Sequence, residues 1–431
     1  MAQDEYDFID PKALRLGLYV ELDVGWLSHP FPSGSFKITT EKQIQILQSL
    51  GTKPVRWVPS KSDPDPSKAV APPIAVPKQV DERQKASEQA ALARRQRAEQ
   101  LEAQQRSLML CERRFADSVR QFRKSIDLIP TQPLAAAEIA QGLVTGYVAD
   151  MLVEGESAIR LLADSSGDKA TLHPVNVTVV SLLLGKALGL QQNQLVDLGV
   201  AAFLHDIGNL QLPERVRWYD DSLSASEIKL YQEHVARGVQ VGRTMELSNA
   251  VLLAIAQHHE HADGSGFPQK LRLESISQLA RIIALVNRYD GLCNPGRTGA
   301  SMTPHEALSM IYGQFKGRYD PTILSAFIRM MGVYPPGSVV QLIDDRHAMV
   351  VSVNSARPLK PRVLVHEPGV PRHEAVILDL ERTPQLGIRR SLRPGNLPGA
   401  AMDYLAPRPR VYYFYEQAND TSDAQRQPQR A

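Results

Sequence analysis

Five histidines and one aspartate sit inside, or at the ends of, segments that otherwise read as buried helices, and that combination limits what this chain can fold into. The apolar run Leu195 to Leu204 ends in His205-Asp206, and His173 precedes a second run from Val175 to Leu190. His258-His259 closes a third, Val251 to Ala256, while His234 lies in a helix opened by the capping box Ser224-Ala-Ser-Glu227. An imidazole beside a carboxylate in an apolar shell is costly unless something pairs with both. A divalent cation is such a partner, because it neutralises the carboxylate and takes a ring-nitrogen lone pair. Taken singly, each histidine reads as structural. Carried on four helices toward one acid, they read as a metal centre. His173, His205, Asp206, His234, His258 and His259 are more donors than one ion requires, which suits two ions, the usual device for hydrolysing phosphate esters.

Around this centre the expected fold is mainly α: a helical domain, a small α/β module before it and a small β extension after it. A chain of 431 residues is long enough for two or three domains. Residues 1–58 alternate short apolar runs with one helical stretch, Thr40 to Leu50. Residues 59–79 are a linker, with six prolines between 59 and 77. Residues 80–132 form a long helix in which Leu101, Leu108, Phe115, Phe122 and Ile129 recur every seven positions. Two readings stay open there: a coiled-coil seam joining two copies in a homodimer, or an amphipathic helix laid on the next domain. Residues 133–334 are the helical domain, with further starts at Thr303-Pro-His-Glu306 and Asp320-Pro321. Residues 335–417 carry strand patterns at 339–343, 348–353 and 362–366, and residues 418–431 are a polar tail expected to be disordered.

Charge and composition narrow the function classes. A net charge of +2 gives no general attraction to a nucleic acid polymer. Two cysteines, Cys111 and Cys293, make no disulfide framework, and no apolar stretch reaches the roughly 18 residues of a membrane span. With no apolar signal core at the start, the expected location is the cytoplasm. The segment His258-His-Glu-His-Ala-Asp-Gly-Ser-Gly-Phe-Pro268 reads as a binding loop: Gly264 and Gly266 allow unusual backbone turns, and Phe267 offers a flat face to a nucleobase.

These residues resemble the HD-GYP family of the HD phosphohydrolase superfamily. The resemblance rests on His205-Asp-Ile-Gly208, on His234, on HHEHADGSGFP with Phe267 where the family has tyrosine, and on Arg281 to Asp290. It covers roughly residues 133–340, and residues 1–58 resemble a small module often placed ahead of such domains. It implies a bacterial, metal-dependent phosphodiesterase that opens cyclic di-GMP to pGpG or GMP in second-messenger signalling, using two divalent iron or manganese ions. By position it implies His173, His205, Asp206, His234, His258, His259 and Asn287 as metal ligands, with His205 and Asp206 at the chemistry. Asn209, Asp263, Gly264, Gly266, Phe267 and Pro268 would contact substrate, and the loop could also dock a signalling protein. Three positions depart from the family. Asn209 replaces a lysine, Asn287 replaces the last metal carboxylate with Asp290 one turn beyond, and Lys169 stands where a glutamate would hold a third ion. Amides are weaker ligands than carboxylates for hard cations. The second ion is therefore expected to depend on Asn287 or Asp290, and the alternative function is a degenerate domain acting as a nucleotide-binding or protein-binding adaptor.

Overall fold

The computed structural model describes residues 6–22, 31, 33–49, 54–64, 78–153, 157–162, 169–219, 222–295, 301–354 and 357–417. The stretch from 65 to 77 of the expected linker, the expected tail, Asp168 and the side chain of Lys169 lie outside the described residues. The chain divides into two compact units, Met1–Gln96 and Arg97–Ala431.

In the first unit, β1 (Asp7–Ile9), β2 (Tyr19–Glu21), β3 (Ser35–Lys37), α1 (Glu41–Ser49) and β4 (Val55–Trp57) follow in chain order. The strands pair antiparallel in the order β1-β4-β2-β3. Leu18, Val20, Ile38, Leu47 and Trp57 form its core, which is the small α/β module expected from the alternating pattern.

The second unit is built from helices whose ends are written locally. The long helix α2 (Lys78–Leu128), of which the residues from Arg97 onward belong to the second unit, contains neither glycine nor proline. Cys111, Phe115, Val119 and Phe122 on one of its faces are buried in the main core, and Phe122 meets Phe203 edge-on at 4.9 Å. Of the heptad residues, Phe115 and Phe122 are thus buried within the chain, while Leu101, Leu108 and Ile129 are half-buried. Then come α3 (Pro133–Leu152), β5 (Ser157–Leu161), α4 (Lys169–Ala187), α5 (Gln192–Leu204), α6 (Ala225–Thr244), α7 (Asn249–Gln257), α8 (Gln278–Cys293), α9 (Pro304–Gln314) and α10 (Pro321–Met331). Ser224 and Glu227 form the capping box of α6, Thr303 and Glu306 that of α9, and Asp320 accepts from the Thr322 and Ile323 amides to start α10. Among the described residues, no helix is long and apolar enough to cross a membrane.

The strands β6 (Val339–Leu342), β7 (His347–Asn354) and β8 (Arg362–Val365) fall where the sequence pattern places them. Three more follow, β9 (Leu378–Asp379), β10 (Ile388–Leu392) and β11 (Tyr413–Gln417), with the short helix α11 (Gly399–Leu405) before the last. The sheet is not confined to that stretch. Its order is β10-β6-β7-β5-β11, with β8 on β7 and β9 on β8, so β5 from the helical region is an inner strand. Ser157 to Leu161 pairs along its length with Gln417 to Tyr413, and Ala158 and Arg160 pair with Asn354 and Ser352. Tyr413 ties this sheet to the helices: its amide donates to Asn176 Oδ1 at 2.7 Å, and its hydroxyl lies 3.2 Å from that of Tyr289.

Candidate metal centre

Each candidate ligand is delivered by the end or the inward face of a helix. His205 is the C-cap of α5 and Asp206 follows it, so both project from the buried end of that helix. The next turn, Ile207–Gln211, lies against α6. Gly208 makes this approach possible: a Cβ there would run into the His234 carbonyl and stand 2.6 Å from the Gly238 nitrogen. The same contact sets Asp206 beside His234. His173 comes from the first turns of α4, and His258 from the C-cap of α7.

Asp206 is the hub. Its Oδ2 lies 3.5 Å from His205 Nε2 and 3.7 Å from His173 Nε2, while its Oδ1 lies 3.5 Å from His234 Nε2 and 3.7 Å from His258 Nε2. Within each pair, the Nε2 atoms of His173 and His205, and of His234 and His258, are 3.3 Å apart. Ligand atoms of two groups cluster around the one carboxylate: His173, His205 and Asp206, and Asp206, His234, His258 and His259.

The protons of these rings are assigned by their other nitrogens. Nδ1 of His205, His234 and His258 each donates to a carbonyl three residues back, Ala202 at 2.8 Å, Tyr231 at 2.6 Å and Ile255 at 2.7 Å. His173 Nδ1 donates to the carboxylate of Asp290. A carbonyl or carboxylate can only accept, so in the neutral rings every Nε2 is a bare lone pair. Lone pairs 3.3 Å apart, beside a carboxylate oxygen that lacks a hydrogen-bond partner, repel one another. A cation between them reverses the sign. Donors around a first-row divalent ion stand about 3.0–3.4 Å from one another, close to the spacing here. The residues present therefore fit a metal site.

Electrostatics agree. Burial pushes His205 down to about 3 and His234 down to about 4, and burial with the neighbouring His258 and His234 holds His259 well below the usual histidine range. Burial works against the charge on Asp206, but His205, His258, His234 and His173 together hold its carboxyl well below the usual range. Ionised carboxylate and neutral imidazoles are the protonation states that bind metal.

The remaining expected residues are distributed unevenly. Asn209 is buried and its Oδ1 has no hydrogen-bond partner. Phe267 stacks on His259 with ring centroids 4.5 Å apart, held by its backbone N–H, which donates to the His259 carbonyl at 3.1 Å. Gly266 allows the loop to fold back, since a Cβ would stand 2.6 Å from Glu260 Cα. Gly264 turns at φ +80° and Pro268 is exposed. Asp263 is exposed, and its carboxylate accepts from the Ser265 amide at 2.9 Å, closing its own turn. Asn287 is half-buried on α8.

Asp290 corrects the expectation that it stands in as a ligand. Both its oxygens have other partners: Oδ2 takes His173 Nδ1, and Oδ1 takes the amides of Asn176 and Asn294, the latter at 2.8 Å. It orients a candidate ligand from behind, a role the sequence reading missed although Asn294 lies one helical turn after it. Glu260 was missed too; its buried carboxylate accepts from the Gln269 and Leu271 amides at 2.6 and 2.8 Å and shapes the loop carrying Phe267. Trp218, edge-on to His173 at 6.0 Å, and Tyr231, whose hydroxyl is 3.3 Å from His259 Nε2, carried no recognisable spacing.

The profile of the HD domain family matches residues 156–323, and that of a domain of unknown function (DUF3391) matches residues 8–139. A cyclic di-GMP phosphodiesterase of Pseudomonas aeruginosa is 28% identical over 362 residues, covering 82% of this chain and 83% of the relative. A 3'3'-cGAMP-specific phosphodiesterase of Vibrio cholerae is 25% identical over 179 residues, 42% of this chain and 39% of the relative. The solved structure of Bd1817, an HDG"Y"P protein from Bdellovibrio bacteriovorus, overlays with a TM-score of 0.41 at 15% identity, covering 75% of this chain and 98% of that one.

Proposed function

Given that residues 156–323 are an HD domain with curated relatives among cyclic dinucleotide phosphodiesterases, we propose that this chain is a metal-dependent phosphodiesterase of bacterial second-messenger signalling, with cyclic di-GMP as its substrate. The observation that carries the reading is the division of labour at Asp206, whose two oxygens each face a separate pair of unprotonated imidazole nitrogens. One ion would be held by His173, His205 and Asp206, a second by Asp206, His234, His258 and His259. Divalent iron or manganese there would supply the Lewis acidity that draws charge off the phosphate oxygens and makes a water acidic enough to attack.

The chain's own residues prepare that chemistry. Asp206 stays ionised at the centre of the cluster and holds the two ligand groups in register. Asp290 keeps the Nε2 lone pair of His173 turned inward. Phe267, packed flat on His259, offers a stacking face beside the reacting phosphate, and the buried Asn209 offers a polar contact to it. Glu260 fixes the backbone that presents Phe267.

A second reading, binding without turnover, draws on Asn209. Its amide brings no positive charge to a position where a phosphate would want one, and the exposed Asp263 and Pro268 leave the loop accessible to a protein partner. Metal content and cyclic di-GMP conversion, measured on the purified chain with added manganese or ferrous iron, separate the two. Two ions per chain and a linear product are expected; retained nucleotide binding without product at full metal loading would refute the enzyme and leave the adaptor.

A further inference from the structure

The cluster is bracketed by aromatic side chains, only one of which belongs to the glycine loop. A continuous row of rings runs from Trp218 through His173, His205, His258 and His259 to Phe267, with successive centroids 6.0, 5.2, 5.2, 4.2 and 4.5 Å apart. Trp218 terminates the row at the His173 end and Phe267 at the His259 end. Asp206 lies between them.

Trp218 is placed by structure of its own. Leu212, Val216 and Leu223 form a small core of their own with Ile228 and Leu230 of α6, so the segment carrying Trp218 is seated on the helix that also carries His234. The Arg217 Nε donates back to the Leu212 carbonyl at 3.0 Å, and Arg237 of α6 donates to the Gln211 carbonyl at 2.8 Å. From this seat consecutive residues reach in two directions. Trp218 meets His173, while Tyr219, 52% exposed, meets Tyr231 at 5.9 Å, and Tyr231 in turn meets Phe267 at 6.2 Å. Trp218 is half-buried, with its ring against the site rather than in the main core.

We propose that Trp218 is a second base-stacking wall of this site, paired with Phe267 across the cluster. This rests on the phosphodiesterase reading and sharpens its substrate class. A diester with a planar base on only one side of the scissile phosphate would use one wall and leave the other idle. A diester with a purine on each side uses both, which selects dinucleotides, cyclic ones included, over mononucleotide diesters. Stacking asks only for a π-face, so the wall sorts by the number of bases and leaves their identity to other groups. Trp218 is thus assigned to substrate recognition, and the bond-breaking step belongs to the centre beside it.

The test uses the metal-loaded full chain, its Trp218→Ala and Trp218→Phe variants, and two substrates, cyclic di-GMP with its two bases and methyl 4-nitrophenyl phosphate, a diester with no base and a single planar ring that can occupy only one wall. Removing one stacking wall is expected to raise KM for cyclic di-GMP by about ten- to a hundredfold, with a smaller change in kcat. Discrimination between the two substrates, as the ratio of their kcat/KM values, falls by a similar factor, and Trp218→Phe recovers most of it. A second readout needs no turnover. The chain has three tryptophans, Trp26, Trp57 and Trp218, and a slowly hydrolysed phosphorothioate analogue of cyclic di-GMP should quench the Trp218 emission in the wild type but not in Trp218→Phe. Wild-type turnover of cyclic di-GMP with unaltered KM and discrimination in Trp218→Ala overturns this proposal alone. A wild type that cleaves the base-free diester but neither binds nor cleaves cyclic dinucleotides removes the substrate reading, and the second wall with it.

Discussion

Replacing Asp290 by asparagine changes one atom of a residue outside the candidate ligand set, yet the geometry predicts the loss of one metal ion. Asn176 and Asn294 both point NH₂ groups at Asp290 Oδ1, so an asparagine at 290 must turn its carbonyl toward them. Its own NH₂ then faces His173 Nδ1, which at present donates to Oδ2. Two donors cannot share a bond, so the ring takes the other tautomer: Nδ1 accepts and Nε2 carries the proton. That proton points at Asp206 Oδ2 and His205 Nε2, 3.7 and 3.3 Å away, where a ligand lone pair is needed. Groups that orient metal-binding histidines are worth 10- to 100-fold in affinity, and inverting a tautomer belongs at the upper end, about 2.7 kcal/mol. The loss falls on one side of Asp206 only, because His205, His234 and His258 take their tautomers from backbone carbonyls that the substitution leaves in place. Titration of the metal-stripped full chain with manganese, followed by calorimetry and by metal content after dialysis, should show two ions in the wild type and one tight ion in Asp290→Asn. A variant isotherm that superimposes on the wild type, from a protein with the same thermal midpoint, would refute the tautomer argument.

Three other perturbations bear on the core, the close approach at Gly208 and the buried imidazoles. Phe122→Ala removes a buried ring packed on Phe203 and should lower the unfolding free energy by about 3–5 kcal/mol in denaturant titrations, with no change in the mass seen by light scattering; dissociation of a dimer would instead mean that this face pairs two chains. Gly208→Ala places a methyl against the α6 backbone and should release Asp206 from the cluster, so metal content should drop while the helical circular dichroism persists; full metal content would contradict the close approach. The third concerns pH. Burial holds His205 near 3 and His234 near 4, against about 6.5 in an unfolded chain, so the unfolded state takes up protons first on acidification. Their contribution to stability is complete above about 6.5 and declines as pH falls toward 4 and then 3. The thermal midpoint of the metal-stripped protein should therefore fall between pH 7 and 5, and a flat profile would count against neutral buried imidazoles.

Much of the site is legible in the sequence because its donors announce themselves by type. Histidines and an acid at the ends of apolar helices are costly there, and His173, His205, Asp206, His234, His258 and His259 do converge. Asn287 and Asp290 show the limit. Spacing on α8 could say that a carboxylate lay one turn beyond the expected position, but whether it reached inward or stood behind His173 depended on Asn176, which lies 114 positions earlier.

What this sequence determines alone is what acts within one or two helical turns. Ser224 and Glu227, Thr303 and Glu306, and Asp320 before Pro321 each close a hydrogen bond to a backbone amide two or three residues away, so those helix starts are decided locally. The aromatic heptads of α2 likewise specify a face to be buried, but not what buries it, because an apolar stripe presents the same surface to its own domain or to a second copy. Only the tertiary structure chose Phe203 as the neighbour of Phe122, set β5 between β7 and β11, and swung Trp218 to the far end of the imidazole row. Those choices belong to the assembled core, since pairing Ala158 with Glu416 or Trp218 with His173 takes effect only after chain between them has folded and brought both surfaces out of water.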